Sequence, residues 1–198
     1  MLRMLPAVML LATVAGAAET KPLEVAVVNI TRVFDAYKKT QKVNELMKEK
    51  FGGRRQELEE RQRRIAEKEA ALRADTRSPD DPALLKERQD LNYQKLLLER
   101  DSRKLMQEMA EFNLKHTAEI MAEIEAAVRR YAQAKHIDLV LKYQPPQQKA
   151  RTNLELTQQI GANPVLYFRN TLDITDAIIT LLNEAYDRGI SLVPRGTN

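Results

Sequence analysis

The amino-acid sequence predicts an α+β protein in which a small β-containing body carries a long antiparallel coiled-coil helical hairpin. Short apolar runs near both ends of the chain have the composition of buried strands. Between them, two long charged stretches carry apolar residues at every seventh position, as coiled-coil helices do. The segment SPDDP, residues 78–82, separates these two stretches and contains two prolines, which favour a helix end.

The composition suits exposed helices better than a large globular core. Of the 198 residues, 30% are charged and only 5% are aromatic, and the net charge is +4. Basic and acidic residues are interspersed, whereas nucleic-acid-binding proteins usually gather their positive charge in one patch, so we expect no specific nucleic-acid partner. The absence of cysteine excludes disulfide bonds and thiolate metal sites.

Residues 1–18 have the pattern of a secretory signal peptide. Arg3 supplies the positive charge, and the apolar run at residues 5–14 is too short to span a bilayer. Small residues then allow cleavage after Ala17 or Ala18. We therefore expect an exported protein whose signal is removed; a buried helix or a retained membrane anchor is the alternative.

The apolar run at residues 23–30 predicts the first strand, buried on both faces. Thr31 has the character of an N-cap for a long helix that opens near Val33. Gly52 and Gly53 predict an interruption of that helix, either a hinge or merely a weak turn, because each glycine costs about 1 kcal/mol in a helix interior.

Two heptad ladders predict how the central helices pair. Their members are Phe51, Leu58, Ile65 and Leu72 on the first helix and Leu84, Leu91, Leu98 and Leu105 on the second. If the chain turns at SPDDP, with Asp81 capping the second helix, Leu72 faces Leu84 and Phe51 faces Leu105. Charged residues occupy most positions three and four beyond each rung of the first helix, so we expect a narrow seam and a flexible hairpin.

The rest of the chain completes the body. The second helix continues to about Tyr131, and residues 137–143 and 165–168 predict two more short strands, separated by a polar connection. Asp173 is expected to cap a last amphipathic helix. We assign residues 19–44 and 113–187 to the body, 45–112 to the arm and 188–198 to a flexible tail. Three short strands leave unprotected sheet edges, which oligomerisation would close.

No pattern of side chains indicates catalysis or a cofactor. His116 and His136 have no third ligand at metal-binding spacing, and we expect His116 to be a solvated surface residue. The paired glycines lack the context of a phosphate-binding loop, and there is no cysteine nucleophile. We therefore expect no enzyme activity, no metal and no cofactor.

Three segments resemble the Skp/OmpH family of periplasmic chaperones. They are VVNITRVF at residues 27–34, DLVLKY at residues 138–143 and DITDAIITLLN at residues 173–183, arranged around a charged hairpin. The resemblance implies a periplasmic homotrimer with a shared β-barrel, whose arms surround a cavity. It also implies that unfolded outer-membrane proteins are held there without ATP.

The resemblance gives the surface of the arm a role in binding these client proteins. The predicted apolar contacts, which lie about 100–200° around the second helix from the ladder, are Leu85, Tyr93, Leu96 and Met106. The basic residues expected to add electrostatic attraction are Arg61, Arg64, Lys95 and Arg103. The alternatives are that the apolar stripe packs against a neighbouring helix, and that the protein is a structural or adaptor coiled-coil protein of the cell envelope. Peripheral contact with a membrane also stays open.

Overall fold

The computed structural model describes residues 22–144, 152–154, 157, 161 and 165–193. The elements in chain order are β1 (Val25–Val28), α1 (Ile30–Ala36), α2 (Lys38–Ala74), α3 (Pro82–Lys135), β2 (Leu139–Lys142), a 3-10 turn (Asn170–Leu172) and α4 (Thr175–Asp187). The predicted signal peptide and most of the polar connection before residue 165 lie outside the described residues.

The helical hairpin is confirmed, with its tip at SPDDP. Helix α2 ends at Ala74, and α3 begins at Pro82. The Oδ1 atom of Asp81 accepts hydrogen bonds from the backbone N–H groups of Ala83 and Leu84 at 2.8 and 3.0 Å. Asp81 therefore caps α3 as its position before Pro82 predicts.

The ladder residues form the seam between α2 and α3, but they fill it incompletely. Five of them are buried: Phe51, Ile65, Leu84, Leu91 and Leu105. The other three, Leu58, Leu72 and Leu98, are only half-buried. One apolar residue per heptad is thus enough to pair the helices and leaves part of the seam uncovered.

The predicted interruption at the two glycines is wrong, since α2 runs unbroken through Gly52 and Gly53. The break lies instead at Tyr37, whose extended backbone (φ −75°, ψ 123°) separates α1 from α2. Tyr37 is buried, and its hydroxyl donates a hydrogen bond to Glu123 at 2.7 Å. The helix therefore breaks where the ring of Tyr37 is held in the core. At the two glycines it continues, because packing against the partner helix offsets their low helix propensity.

The boundary between β1 and α1 also differs from the prediction. Asn29, not Thr31, is the N-cap of α1, because its side-chain oxygen accepts a hydrogen bond from the backbone N–H of Arg32 at 3.0 Å. The strand consequently ends at Val28, and Ile30 already belongs to the helix.

The body has a two-stranded parallel sheet rather than three strands. Val25 pairs with Leu139, and Val28 pairs with Lys142. Residues 165–169 form no strand; the chain returns to the sheet only at Asp173, which makes a single bridge to Val27. Among the described residues, 165–169 have no sheet neighbour, and Leu166 is 98% exposed.

The core of the body lies beside β1, between α1, α3 and α4. Its most deeply buried side chains are Val33, Ile120, Ile124, Ala127, Ile178 and Leu182. Val33 lies on α1, and the apolar spacing along α3 and α4 places the other five on facing sides of those two helices. This core anchors the base of the arm.

Candidate functional site

A second ladder, made of polar side chains, runs along the arm beside the apolar one. Arg54 pairs with Glu108, and one heptad further on Arg61 pairs with Asp101 at 3.2 Å. In the next heptad, the Nζ atom of Lys68 donates a hydrogen bond to a side-chain oxygen, Oε1 of Gln94, at 3.2 Å. Helical side chains tilt toward the N-terminus of their own helix, so in this antiparallel pair they lean toward each other.

Further ion pairs lie near the tip: one joins the two helices, and Arg77 of the turn makes two more. Lys95 lies 2.8 Å from Glu69, and Arg77 bridges Asp75 at 2.6 Å and Glu87 at 3.0 Å. The hydrogen bonds from Arg77 lower the pKa of Asp75 to about 2. The hydrogen bond from Lys95 likewise lowers the pKa of Glu69 below its usual range.

The same effect holds along the polar ladder. A hydrogen bond from Arg100, with further attraction from Arg61, lowers the pKa of Asp101. The hydrogen bond from Arg54 lowers the pKa of Glu108. The four carboxyl groups with a lowered pKa, those of Glu69, Asp75, Asp101 and Glu108, therefore stay charged to lower pH than usual. Ion pairs line one side of the seam.

The four apolar residues predicted to contact clients are all exposed on α3. The exposed fraction is 50% for Leu85, 62% for Tyr93, and 64% for both Leu96 and Met106. They lie away from the seam, and no helix of the described residues is packed over them. Whether the stripe binds clients stays a prediction.

Leu114, which the sequence analysis missed, extends this stripe toward the body. It is 74% exposed and stands at the same heptad position as Tyr93, three heptads further along α3. Its heptad position, shared with Tyr93, could have identified it from the sequence as part of the stripe. Within residues 45–112, all of which the structure describes, four of the five exposed large hydrophobic residues lie on α3, and the fifth, Leu46 on α2, is 39% exposed and stands at the end next to the body. Together with Leu114, at the start of the body, the four exposed residues of α3 form an apolar outer face of that helix, defined here as the α3 stripe: Leu85, Tyr93, Leu96, Met106 and Leu114.

Three of the four basic residues expected to attract clients form ion pairs with acidic residues of the arm. Arg61 pairs with Asp101 and with Glu57. Lys95 pairs with Glu69 as described above, and Arg103 lies 3.5 Å from Glu99. Arg64 makes no ion pair with another residue in the described part of the chain. Among these four, Arg64 therefore offers a charge that is not already compensated.

An aromatic cluster marks the junction of arm and body. The rings of Phe51 and Phe112 meet edge-to-face at 5.6 Å, and the ammonium of Lys50 lies 5.3 Å from both ring centres. The ring of His116 packs 4.3 Å from Phe112. The expectation that His116 is a solvated surface residue is wrong, since its side chain is only 22% exposed and its Nδ1 atom lies 3.0 Å from Glu119.

Three segments of the chain meet in the body: the start of α1, the residue that follows β2, and the start of α4. The backbone N–H of Asn29 donates a hydrogen bond to the hydroxyl of Thr175 at 2.9 Å, and that hydroxyl in turn donates to Asp173. The hydroxyl of Tyr143 also donates to Asp173, at 2.6 Å, and Arg32 pairs with Asp176. Segments far apart in sequence are therefore joined by one polar network, which fixes the base of the arm.

No group of three His, Asp or Glu side chains among the described residues is placed to hold a metal ion. No helix in that part of the chain is both long and apolar enough to cross a membrane.

Comparison with known proteins gives a family and a similar fold. A family model described as "Outer membrane protein (OmpH-like)" matches residues 24–182. A crystal structure of a proposed outer membrane chaperone (OmpH-like) from Caulobacter crescentus CB15 is similar over 83% of this chain and 86% of that chain, with 17% sequence identity and a TM-score of 0.59. At that identity the likeness shows a shared fold alone. A search of curated proteins found no match.

Proposed function

This chain belongs to the OmpH-like (Skp) family of outer membrane protein chaperones, and from that premise we propose that it is an ATP-independent periplasmic holdase. It binds unfolded outer-membrane proteins between its helical arms and releases them without an energy source. The single observation that carries the proposal is the α3 stripe, an exposed apolar surface that runs along one face of an otherwise charged arm.

The α3 stripe supports weak binding at many points. Its five residues are separated by polar positions, so each one offers a small contact area and together they span most of the arm. Several weak contacts on one flexible chain gain avidity when they engage together, yet each one breaks easily. That balance suits a holdase, because a tightly bound client could not leave unaided.

The narrow seam supports an arm that adapts to clients of different size. Half-buried rungs and an exposed ionic ladder provide modest stabilisation along the arm, since exposed ion pairs contribute little free energy. The buried core of the body and the aromatic cluster at its junction hold the base of the arm. An arm of this kind bends along its length while its base stays fixed.

We also propose that three copies assemble through the body and share a β-barrel. A two-stranded sheet has two open edges, and β2 is exposed at both ends, with Leu139 42% exposed. Leu166 and Tyr167, in the segment before the 3-10 turn, are 98% and 84% exposed, and two adjacent large apolar side chains this exposed favour a surface that a partner covers. Sedimentation equilibrium is expected to give about three subunits; a stable monomer overturns the barrel.

We also propose a division of the chain into a body that assembles, an arm that binds clients, and a tail. Residues 19–44 and 113–187 form the body, residues 45–112 form the arm and residues 188–198 form a tail. Residues 1–18 act as the export signal, and the family to which the chain belongs is periplasmic. N-terminal sequencing of the protein recovered from the periplasm tests cleavage after Ala17 or Ala18.

An aggregation assay tests the holdase directly. A urea-unfolded outer-membrane barrel protein is diluted into buffer with and without this protein, and light scattering is followed. We expect scattering to fall strongly at several-fold excess of trimer. Unchanged scattering overturns the holdase and favours a structural or adaptor role in the cell envelope.

A further inference from the structure

Two open cavities lie in the seam of the arm, on the same side of the hairpin. The larger, of about 360 Å³, includes Leu72 and Leu91 in its lining. The smaller, of about 230 Å³, includes Ile65 and Leu98. Each pair is diagonal, because it takes one residue from each of two successive rungs of the apolar ladder. Both members shift by seven residues from one cavity to the next, so the cavities repeat at an interval of one heptad.

The cavities exist because the polar ladder stands where a second apolar ladder would fill the seam. Lys68 and Gln94 line both cavities, and their mutual hydrogen bond crosses the seam. Their side chains are therefore engaged with each other and leave the flanks of Leu72 and Leu98 half-exposed. Each cavity presents apolar surface that one further apolar side chain can cover.

The interval between the cavities matches the repeat of an extended unfolded chain. One heptad of helix advances about 10.5 Å along the arm, at 1.5 Å per residue. In the polyproline II conformation, which unfolded chains populate strongly, residues i and i+3 point to the same side and are about 9.3 Å apart. In a β-strand, residues three apart point to opposite sides, so a strand does not fit both cavities.

Opposite charges flank the two cavities. Arg64 lines the smaller cavity and Asp90 lines the larger one. Neither side chain makes an ion pair or a hydrogen bond with another residue of the described chain. A segment that carries an acidic residue on the side nearer the body and a basic residue on the side nearer the tip is complementary to them.

We propose that the seam is a binding site for an extended segment of unfolded polypeptide, which inserts apolar side chains i and i+3 into the two cavities. The inference rests on the proposed function in taking an unfolded chain as the occupant. This site is a second client contact on the arm, distinct from the α3 stripe. It favours clients whose apolar residues are three positions apart.

Two fluorescent peptides of identical composition test the spacing. Asp-Leu-Pro-Pro-Leu-Lys holds two leucines three residues apart in a polyproline II conformation, and Asp-Leu-Leu-Pro-Pro-Lys places them side by side. Fluorescence anisotropy with the wild-type protein is expected to show about tenfold tighter binding of the first peptide, because only this peptide fills both cavities. Equal affinities overturn the proposal.

A pair of adjacent alanines provides matched variants. Ala71 lines the larger cavity, whereas Ala70 lines neither cavity and is exposed. Ala71→Leu fills the cavity and is expected to weaken binding of the first peptide about tenfold, while Ala70→Leu keeps it within about twofold. Circular dichroism melts check that both variants keep the hairpin. Equal binding by two folded variants overturns the site.

The failure of this inference is separable from the failure of the proposed function. A wild-type protein that suppresses client aggregation but binds both peptides equally loses the seam site and keeps the holdase. A wild-type protein that discriminates between the peptides but leaves client aggregation unchanged keeps a peptide-binding seam and loses the holdase.

Discussion

Thr175 and Asn29 are joined by a buried hydrogen bond that spans almost the whole described chain. The backbone N–H of Asn29 donates to the hydroxyl of Thr175 at 2.9 Å, and Thr175 is fully buried. Asn29 caps α1 while Thr175 begins α4, so this one contact sets how the first and last helices meet. The arm emerges from the body directly after α1 and depends on that meeting.

Replacement of Thr175 by valine is expected to destabilise the body. The variant keeps the shape of the side chain but leaves the buried N–H of Asn29 without its acceptor, at a cost of about 1–3 kcal/mol. Urea unfolding followed by circular dichroism measures the change. Thr180→Val is the control on the same helix, because Thr180 is exposed and is expected to shift stability by at most about 0.5 kcal/mol. Equal effects of the two variants would refute the role of the buried hydrogen bond.

Replacement of Gly52 or Gly53 by alanine is expected to stabilise the arm. Both residues are helical, and an added Cβ meets nothing within 4 Å at either position. Each variant is expected to gain about 0.5–1 kcal/mol, because alanine restricts the unfolded chain more than glycine does. Thermal melts read at 222 nm provide the test. A loss of stability would show that the helix needs glycine there for a reason that the packing does not reveal.

A charge reversal tests the polar ladder. Glu108→Arg places two positive charges together beside Arg54 and is expected to lower the urea midpoint of the arm at low salt. The double variant Arg54→Glu with Glu108→Arg restores an opposite pair and is expected to recover most of the loss. Salt at about 1 M shortens the Debye length to about 3 Å and should shrink both effects. A double variant no better than the single one counts against direct pairing.

Acid is expected to weaken the arm in a defined window of pH. The folded arm lowers the pKa of Asp75 to about 2 from an ordinary value of 3.8, and the pKa of Glu69, Asp101 and Glu108 also lies below the ordinary value. A carboxyl group whose pKa is lower in the folded protein than in the unfolded chain stabilises the fold at every pH above the unfolded-state pKa. This stabilisation is lost as the pH falls through the folded-state pKa. Urea midpoints should therefore fall between about pH 4.5 and pH 2. In Asp75→Asn, the urea midpoint should fall less at the low-pH end of this window. An unchanged pH profile in that variant would show that Asp75 does not contribute to the loss of stability.

The hairpin was predictable from sequence because its signals are local and repeated. The apolar ladder has four rungs, of which Ile65 with Leu91 and Leu72 with Leu84 are two, and the tip combines two prolines with a capping aspartate. The polar ladder was missed although the same heptads contain it. Basic residues on α2 and acidic or amide residues on α3 recur every seven positions, but their pairing follows only from the antiparallel tilt of the side chains.

The body was less predictable because distant contacts decide its boundaries. The break at Tyr37 depends on a hydrogen bond to Glu123 across the core, and no neighbour in sequence signals it. Apolar composition at residues 165–168 predicts a third strand, yet a strand needs a neighbour in the sheet, and the part of the chain that the structure describes supplies none. The polar network at Thr175 likewise joins residues that composition and periodicity cannot connect.

The central claim is that the apolar face of the arm holds unfolded clients, and an aggregation assay on matched variants tests it most directly. One variant, the α3 stripe variant, replaces four of the five stripe residues by serine: Leu85, Tyr93, Leu96 and Met106. Its control replaces four exposed positions of α2 by serine: Gln62, Arg63, Ala66 and Ala70. Light scattering of a diluted, urea-unfolded outer-membrane barrel protein is followed with each variant at equal concentration. We predict that the control protects as well as wild type and that the α3 stripe variant loses most of its protection. Full protection by a folded α3 stripe variant would contradict the claim.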